Sequence, residues 1–235
     1  MKLSVVMPVY NERETIEEIV DQVRATPVDK EIIIVDNCST DGTRELVQAM
    51  THPEVQIILQ DRNRMKGNSV KRGIAAARGE FTIIQDADLE YDPRDYQPML
   101  EAVAQNGTLA ALGSRVLGVA RSGGAMPVSS FSLGRDILND YFSVLYDARL
   151  TDIATCYKLA PTAVFQSLGL VSDGFDLDFE IAGKFVLAAR ARGMTVADVP
   201  IRYYPRTSDE GKKIRWTDGV TSLVAISRYR FANMA

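Results

Sequence analysis

The segment from Phe81 to Pro93 constrains the fold most, because a short apolar run ends there directly in acidic residues. The run FTII occupies 81–84, and Asp86 and Asp88 follow it. An apolar run of this length, with Gly79 before it and acids after it, is typical of a buried parallel strand. In open α/β sheets ligands bind at the carboxyl ends of strands, and hard cations prefer oxygen ligands. The segment therefore indicates a Mg²⁺ or Mn²⁺ site, although a solvated acidic turn that caps the next helix has the same pattern.

Apolar runs of this kind alternate with helical patterns through the first half of the chain. We predict strands at 3–9, 31–36, 55–59, 81–84 and 109–113. A capping box of Asn11 and Glu14 predicts the start of the first helix, and 61–68 reads as a polar loop. This alternation predicts one α/β domain with a mostly parallel, Rossmann-like sheet flanked by helices. The dinucleotide-binding version is excluded, because no glycine-rich turn follows the first strand.

The second half of the chain has a different texture. Residues 118–130 are rich in Gly and Ser and predict a mobile loop. Beyond it we predict a helix at 131–146, a strand at 155–159, a helix at 178–192, a strand at 195–204, a polar loop at 205–213 and a last helix at 217–231.

Composition excludes several classes of protein. The net charge of −4 argues against a general nucleic-acid binder, and we expect no nucleic-acid partner. The chain has one histidine, which nearly excludes a histidine-based triad, and its two cysteines form no disulfide framework. No signal-like segment precedes Leu3 and no apolar run is long enough to span a bilayer. We therefore expect a cytoplasmic protein, with peripheral attachment at the inner face of a membrane as the alternative.

A set of motifs along the chain resembles the inverting glycosyltransferases of family 2. The branch that includes dolichyl-phosphate mannose synthase and bacterial polyprenyl-phosphate hexosyltransferases is the most similar. The motifs, in chain order, are VVMPVYNE, IIIVDNCSTDGT, KGNSVKRG, IIQDADLEYDP, GSR, TDIATCYK, GFDLDFEIAGK and YYPR followed by EGKKIRWTDG. Each motif alone is weak, but their shared order and spacing make the set specific.

This resemblance implies a glycosyltransferase A-type domain, a nucleotide-sugar donor and a divalent metal, Mg²⁺ or Mn²⁺. The donor-binding positions that it implies are Pro8, Tyr10, Glu12, Asp36, Lys66, Asp86, Ala87 and Lys212. The implied metal ligands are Asp86, Asp88 and Glu90. The implied catalytic residues are Asp88, Arg115, Asp152, Glu180 and Arg206.

Several of these residues also have a simpler interpretation. Glu12 would be a helix-start charge favoured by the macrodipole. The basic residues near Arg206 would form a solvated loop or meet anionic lipid headgroups instead of phosphates. Asp152 would act as a general base, orient an acceptor group or cap a turn. Glu180 would be catalytic or would pair with a nearby arginine.

Two positions depart from the family pattern. Asn37 stands where a second acid is common after Asp36, which leaves the donor preference open. Met65 stands where a glycine is common, so we expect the loop around Lys66 to fit less closely.

The leading hypothesis is transfer of a hexose from GDP-mannose or UDP-glucose to a polyprenyl or dolichyl phosphate. The alternatives are a family 2 enzyme with a saccharide or other hydroxyl acceptor, and a nucleotide-sugar-binding module without catalysis. We expect residues 1–115 to bind the nucleotide sugar and 116–216 to bind the acceptor. Residues 217–235 would form a helix that packs on the domain or lies on a membrane surface.

Overall fold

The computed structural model describes residues 2–124, 130–205 and 216–231. Its strands are β1 Leu3–Val9, β2 Lys30–Asp36, β3 Val55–Leu59, β4 Phe81–Ile84, β5 Thr108–Ser114, β6 Lys158–Pro161 and β7 Thr195–Pro200. Its α-helices are α1 Ile16–Ala25, α2 Thr43–Ala49, α3 Met65–Ala76, α4 Tyr96–Ala104, α5 Arg115–Arg121, α6 Ser130–Tyr146, α7 Thr162–Ser167, α8 Leu177–Arg190 and α9 Trp216–Phe231. A 3₁₀ turn, Pro93–Asp95, precedes α4.

The seven strands form one sheet in the order β3-β2-β1-β4-β6-β5-β7. Strand β6 is antiparallel to β4 and β5, and the other neighbouring strands are parallel. Helices flank this sheet, and one apolar core of buried strand and helix residues joins them. The predicted α/β fold with a mostly parallel sheet is confirmed.

Strand β1 occupies the centre of the parallel part, and its end opens a crevice. Its ladder with β4 ends at the pair Val6–Ile84, and the carbonyl of Val6 accepts a hydrogen bond from Gln85 N on that side. Pro8 lies two residues further on and faces the same side, because successive residues of a strand alternate. A proline is tolerated at this position because its missing N–H would have no partner strand there. Since connections leave β1 and β4 in opposite directions across the sheet, ligands of such folds bind in this crevice.

The predicted capping box of Asn11 and Glu14 is wrong. Helix α1 begins at Ile16 with Thr15 before it, so Asn11 lies too early to cap the helix. Asn11 has a left-handed backbone with φ of +56°, and its side-chain oxygen accepts a hydrogen bond from Thr40 N at 2.8 Å. Its role is therefore to hold the β1–α1 turn against the β2–α2 turn.

The predicted loop at 118–130 is partly wrong, because α5 continues to Arg121. Ser114 starts this helix by accepting a hydrogen bond from Leu117 N at 3.0 Å. Gly118 lies against the backbone carbonyl of Ile201, where a Cβ atom has no room. The glycine thus allows α5 to pack on the segment after β7. Residues 125–129 of the predicted loop lie outside the described residues.

Other elements also differ from the sequence expectations, and strand β7 ends at Pro200, four residues earlier than predicted. Helix α3 begins at Met65, so Lys66 belongs to a helix and not to a loop. Strand β6 begins at Lys158, three residues later than predicted, and the short helix α7 was not predicted. Among the described residues, none of the helices is both long and apolar enough to cross a bilayer.

Candidate active site

The two aspartates after β4 lie at the crevice beside β1 and are tied to the turn that follows β1. Thr15 Oγ1 donates a hydrogen bond to the carbonyl of Ala87 at 2.7 Å and contacts Glu12 Oε2 at 3.3 Å. Asp88 Oδ1 accepts a hydrogen bond from Glu90 N at 3.2 Å, which closes the turn. These contacts hold the turn with Ala87 and Asp88 against the turn that carries Glu12.

Lys66, at the start of α3, contacts both carboxylate oxygens of Asp86. Its Nζ atom lies 2.8 Å from Oδ1 and 2.9 Å from Oδ2. Burial alone lowers the pKa of Lys66, but the charge of Asp86, with smaller contributions from Cys156 and Asp178, raises it well above the usual value. Lys66 therefore remains a cation at the end of β4.

Lys66 is the first member of a row of alternating charges, Lys66, Asp178 and Lys158, which the sequence did not predict. Its Nζ lies 3.9 Å from Asp178 Oδ2, and Asp178 Oδ1 lies 2.8 Å from Lys158 Nζ. Lys158 is fully buried and also donates to the carbonyl of Thr155. The signal was present, since Lys158 and Asp178 both lie in quoted motifs, TCYK and GFDLDFE. From the second of these motifs, the sequence predicts a role for Glu180 but none for Asp178.

The helix start at Lys66 is held against the loop before α8. A Cβ atom on Gly67 would lie 2.7 Å from the carbonyl carbon of Asp173, so only glycine allows this approach. Met65 adopts a left-handed backbone with φ of +69° and its side chain is 55% exposed. A residue without a Cβ atom would adopt that backbone at lower cost, which explains physically why Met65 stands out there.

Asp36, expected to read the nucleotide base, is fully buried at the end of β2. It accepts a hydrogen bond from Arg44 Nε at 2.7 Å and one from Ser39 N at 3.2 Å. The next residue, Asn37, donates to Asn63 Oδ1 at 3.0 Å and accepts from Arg64 N at 2.8 Å. A carboxylate could accept from Arg64 but could not donate to Asn63, so the neutral amide suits this position.

Arg115 and Asp152 form a two-pronged ion pair after β5. The distances are 2.6 Å from Arg115 Nε to Asp152 Oδ2 and 2.7 Å from Nη2 to Oδ1. The backbone N–H of Arg115 adds a third hydrogen bond to Oδ2 at 3.1 Å, and Asp152 is fully buried. Burial alone lowers the pKa of Arg115, but Tyr91 and Asp152 outweigh it and keep this pKa well above its usual value. Asp152 thus fixes the direction of a permanent cation.

Glu180, in the first turn of α8, is fully buried and holds the loop before that helix. Its two carboxylate oxygens accept hydrogen bonds from Val171 N and Ser172 N, each at 2.8 Å. Lys184, one turn later on α8, lies 2.7 Å from Oε1. The partner of Glu180 is therefore a lysine and two backbone amides, rather than the arginine considered from the sequence.

Segment 201–204 closes the site on the side of β7 and lines a cleft of about 450 Å³ with α5. Tyr203 forms an antiparallel bridge with Tyr91, and Tyr204 N donates to the carbonyl of Glu90 at 2.9 Å. The predicted site residues Arg206 and Lys212 follow this segment and lie outside the described residues.

The oxygen donors after β4 fit a hard cation. Asp86 and Asp88 offer carboxylates with one residue between them, and Glu90 follows on the same turn. Within the described ranges 2–124, 130–205 and 216–231, three or more acidic, cysteine or histidine side chains do not cluster as a ready metal cage. Mg²⁺ in particular is commonly held by one or two carboxylates and by substrate phosphates, so the donor set suits such a cation without a cage.

Comparison with known proteins places this site in a family. The family model described as glycosyl transferase family 2 matches residues 4–161. The chain belongs to glycosyl transferase family 2. This match covers β1 to β6, including the turn after β4 and the Arg115–Asp152 pair.

Curated relatives of this family 2 domain are longer proteins. The chain is 26% identical over 210 residues to the low-salt glycan biosynthesis hexosyltransferase Agl6 of Haloferax volcanii, covering 88% of this chain and 49% of Agl6. It is 35% identical over 118 residues to the dolichol-phosphate mannosyltransferase of Pyrococcus furiosus, covering 49% of this chain and 33% of that protein. The chain therefore spans about a third to a half of the length of these two relatives.

Solved structures agree with the fold of the family 2 domain. Mannosyl-3-phosphoglycerate synthase from Rubrobacter xylanophilus aligns with a TM-score of 0.71 and 18% identity, over 100% of this chain and 75% of that one. Glucosyl-3-phosphoglycerate synthase from Mycobacterium tuberculosis, solved with Mn²⁺, UDP and phosphoglyceric acid, aligns with a TM-score of 0.65 and 16% identity, over 98% and 78%. These similarities establish the glycosyltransferase A-type fold.

Proposed function

We propose that the protein is a metal-dependent inverting glycosyltransferase that moves a hexose from a nucleotide sugar to a polyprenyl or dolichyl phosphate. The observation that carries this proposal is the Arg115–Asp152 pair, a buried carboxylate that orients a permanent cation at the end of β5. Such a cation suits an acceptor that arrives as an anion. The dolichol-phosphate mannosyltransferase among the relatives supports the same acceptor class.

On the donor side, the crevice beyond β1 and β4 would receive the nucleotide sugar. Pro8, Tyr10 and Glu12 would surround the base and ribose, and Asp36 would act on them indirectly, through the turn that it holds at Ser39. The donor would be GDP-mannose or UDP-glucose, and the UDP in the mycobacterial structure is consistent with the second. In this proposal, residues 1–115 bind the nucleotide-sugar donor and residues 116–216 bind the acceptor.

A divalent cation would be held by carboxylates among Asp86, Asp88 and Glu90 and by the phosphates of the donor, since these three acids do not form a ready cage. When bound, Mg²⁺ or Mn²⁺ supplies a Lewis acid that stabilises the charge developing on the departing diphosphate. Lys66 keeps its positive charge at the same strand end and would bind a donor phosphate from the protein side. The Mn²⁺ of the mycobacterial structure supports the choice of cation class.

On the acceptor side, an anionic phosphate would attack without first losing a proton. The two acids considered as general bases, Asp152 and Glu180, are fully buried and already accept hydrogen bonds. A base must reach the proton that it removes, so neither is placed for that task. Arg115 would bind the acceptor phosphate. Arg206 and Lys212 would supply further positive charge to the phosphates, Lys212 on the donor side.

Helix α9 supports attachment to a membrane surface, where a polyprenyl phosphate resides. Its side chains Val224, Arg228 and Phe231 are exposed and lie at i, i+4 and i+7, on one face of the helix. Apolar and cationic side chains on a shared face suit the boundary between acyl chains and headgroups. We propose peripheral attachment at the cytoplasmic face on this basis.

The proposal is tested by radiolabelled hexose transfer to polyprenyl phosphate in detergent, with GDP-mannose and UDP-glucose, with and without Mn²⁺. We expect metal-dependent hexosyl-lipid formation, and Asp88→Asn should lower turnover at least about 100-fold, because Lewis-acid stabilisation is worth several kcal/mol. Asp21→Asn, an exposed acid on α1, is the matched control and should keep full activity. Absence of turnover with every donor and acceptor would favour a nucleotide-sugar-binding module.

A hydroxyl acceptor is the second candidate, and Asp178 is the observation that favours it. Asp178 is only partly buried, lies between Lys66 and Lys158, and is close to the end of β4. A saccharide hydroxyl needs a carboxylate within hydrogen-bond reach, and Asp178 is better exposed for this than Asp152 or Glu180. Transfer to a saccharide but not to polyprenyl phosphate, abolished in Asp178→Asn with donor binding intact, would replace the lipid-phosphate proposal.

A further inference from the structure

Tyr203 contacts both charged sides of the candidate site. Its hydroxyl lies 3.2 Å from Glu90 Oε2, on the turn with Asp86 and Asp88. The guanidinium carbon of Arg115 lies over the ring of Tyr203, 5.1 Å from the ring centre, which is within the range of a cation–π contact. One side chain thus joins an acid on the donor side to the cation on the acceptor side.

The backbone around Tyr203 is held at the same two places. Tyr203 forms an antiparallel bridge with Tyr91, and Tyr204 N donates to the carbonyl of Glu90. On the other side, Ile201 N donates to the carbonyl of Ser114, the residue before Arg115, at 3.2 Å. The rings of Tyr91 and Tyr203 also pack, with centres 5.6 Å apart. The phenol therefore has a fixed position relative to both charged groups.

The two contacts of Tyr203 use different parts of the side chain. The hydroxyl donates to a carboxylate, and a charge-assisted hydrogen bond of this kind orients its acceptor. The ring face attracts a guanidinium and limits its rotation about the Asp152 pair. Because the two parts are chemically separable, Phe removes one contact and Leu removes both.

We propose that Tyr203 is a positioning residue that fixes Glu90 relative to Arg115. The proposal rests on the proposed function for the roles of these two residues, a metal-side acid and an acceptor-side cation. Tyr203 touches neither the donor sugar nor the attacking phosphate in this scheme. It acts by keeping the acid and the cation at one separation, so that donor and acceptor meet in one arrangement.

The test compares Tyr203→Phe with Tyr203→Leu in two measurements. Mn²⁺ affinity is measured by electron paramagnetic resonance titration, and the acceptor KM by hexosyl-lipid formation at saturating donor. We expect Tyr203→Phe to weaken Mn²⁺ binding about tenfold, the size of one charge-assisted hydrogen bond, with the acceptor KM within about twofold of wild type. Tyr203→Leu should weaken Mn²⁺ binding equally and also raise the acceptor KM about tenfold, from the lost cation–π contact.

Tyr204→Phe is the matched control, because the neighbouring Tyr204 is exposed and its hydroxyl is 3.4 Å from Asp92. It should leave both measurements unchanged. Equal effects of Tyr203→Phe and Tyr203→Leu on both quantities, or wild-type values for both variants, would overturn the proposal.

A third measurement separates this proposal from the proposed function. The Nε–H resonance of Arg115 in a ¹H–¹⁵N spectrum senses the ring current of Tyr203 without any substrate. We expect Tyr203→Leu to shift this resonance and Tyr203→Phe to leave it in place. If wild type shows neither Mn²⁺ binding nor turnover but this pattern holds, the proposed function fails while the contact with Arg115 stands. An Arg115 resonance that is unmoved in Tyr203→Leu contradicts the positioning role itself.

Discussion

Asp86, directly after β4, and two buried acids of the second half of the chain, Asp152 and Glu180, are held in opposite ways. Asp86 keeps 19% of its side chain exposed at a strand end, where its carboxylate contacts the ammonium of Lys66. Asp152 and Glu180 have no exposed surface, and every contact described above points them at the protein itself. The first arrangement leaves part of a charged group accessible at the crevice, whereas the second uses charge to fix other groups.

Sheet direction explains part of this difference. The parallel strands β1 and β4 are neighbours and point their carboxyl ends to the same edge of the sheet, so the residues after them lie at an open crevice. Strand β6 runs antiparallel between β4 and β5, and the chain must turn at both of its ends within the domain. Asp152, shortly before β6, and Lys158, on β6, are enclosed there, and enclosed charges must be paired and hydrogen-bonded.

Asp36 shows that position in the sequence does not decide whether an acid lies at the crevice or in the interior. It follows β2 in the parallel half, yet it is fully buried and pairs with Arg44. Its strand lies beside β1 on the side away from β4, so the crevice does not reach its carboxylate directly. The comparison is therefore between crevice and interior, rather than between two halves of the chain.

The largest effect that would sharpen this comparison is expected from Asp152→Ala. Removing one partner of a buried ion pair leaves an uncompensated charge, so we expect the free energy of unfolding to fall by about 3–5 kcal/mol. Urea denaturation measures this loss. Asp21→Ala removes an exposed carboxylate that also pairs with an arginine, and it should cost much less.

Unchanged stability with lost turnover would show that Asp152 acts on the substrate and does not only fix Arg115. If Asp152→Ala unfolds at the wild-type urea concentration but loses turnover with donor binding intact, Asp152 presents its charge to the substrate. Asp152 would then be a base, and the lipid-phosphate proposal would give way to a hydroxyl acceptor.

A smaller effect is expected from Glu180→Gln. The amide keeps one oxygen for the backbone N–H of Val171 or Ser172, but it loses the charge that pairs with Lys184. One buried donor is then left unsatisfied, which costs about 1–3 kcal/mol. Differential scanning calorimetry measures the loss, and Glu17→Gln, exposed on α1, is the control. A catalytic Glu180 would show the reverse result, unchanged stability with lost turnover.

The sequence predicts the crevice better than the interior, for physical reasons. Strands β1 to β4 were predicted to within one residue, because short apolar runs between turns form buried parallel strands. The acids after β4 were found because they follow such a run directly. In the second half, β6 began later than predicted and α7 was missed, because its six residues show no helical period.

The partners of the site residues were not predictable from local sequence. Arg115 and Asp152 are 37 residues apart and meet only because β5 and β6 are neighbours. Lys158 and Asp178 are 20 residues apart and lie on β6 and α8. A motif names residues that share a place in the chain, whereas a pair across elements depends on strand order. This order depends on β6, which lies antiparallel between β4 and β5. The direction of β6 cannot be predicted from its amino-acid composition.

The smallest effect concerns Asp198 on β7, a half-buried acid that is only partly paired. Its Oδ2 atom accepts a hydrogen bond from Thr151 N at 2.7 Å, and its buried Oδ1 atom has no partner among the described residues. Burial raises the pKa of Asp198 above its ordinary value of 3.8, with a smaller contribution from Asp152. Asp198 therefore resembles the interior acids, but no cation of the described residues pairs with its carboxylate.

This position predicts a pH dependence of definite sign. Between the pKa of the unfolded chain and the raised folded pKa, the folded protein holds a proton that the unfolded chain has released. Stability from this group is thus complete at low pH and is lost as the pH rises through the folded pKa. Asp198→Asn keeps the bond from Thr151 without a charge, so its stability relative to wild type should increase from pH 4 to pH 7. Urea midpoints of both proteins across that range measure the difference, and parallel curves would show that Asp198 is not held as an interior acid.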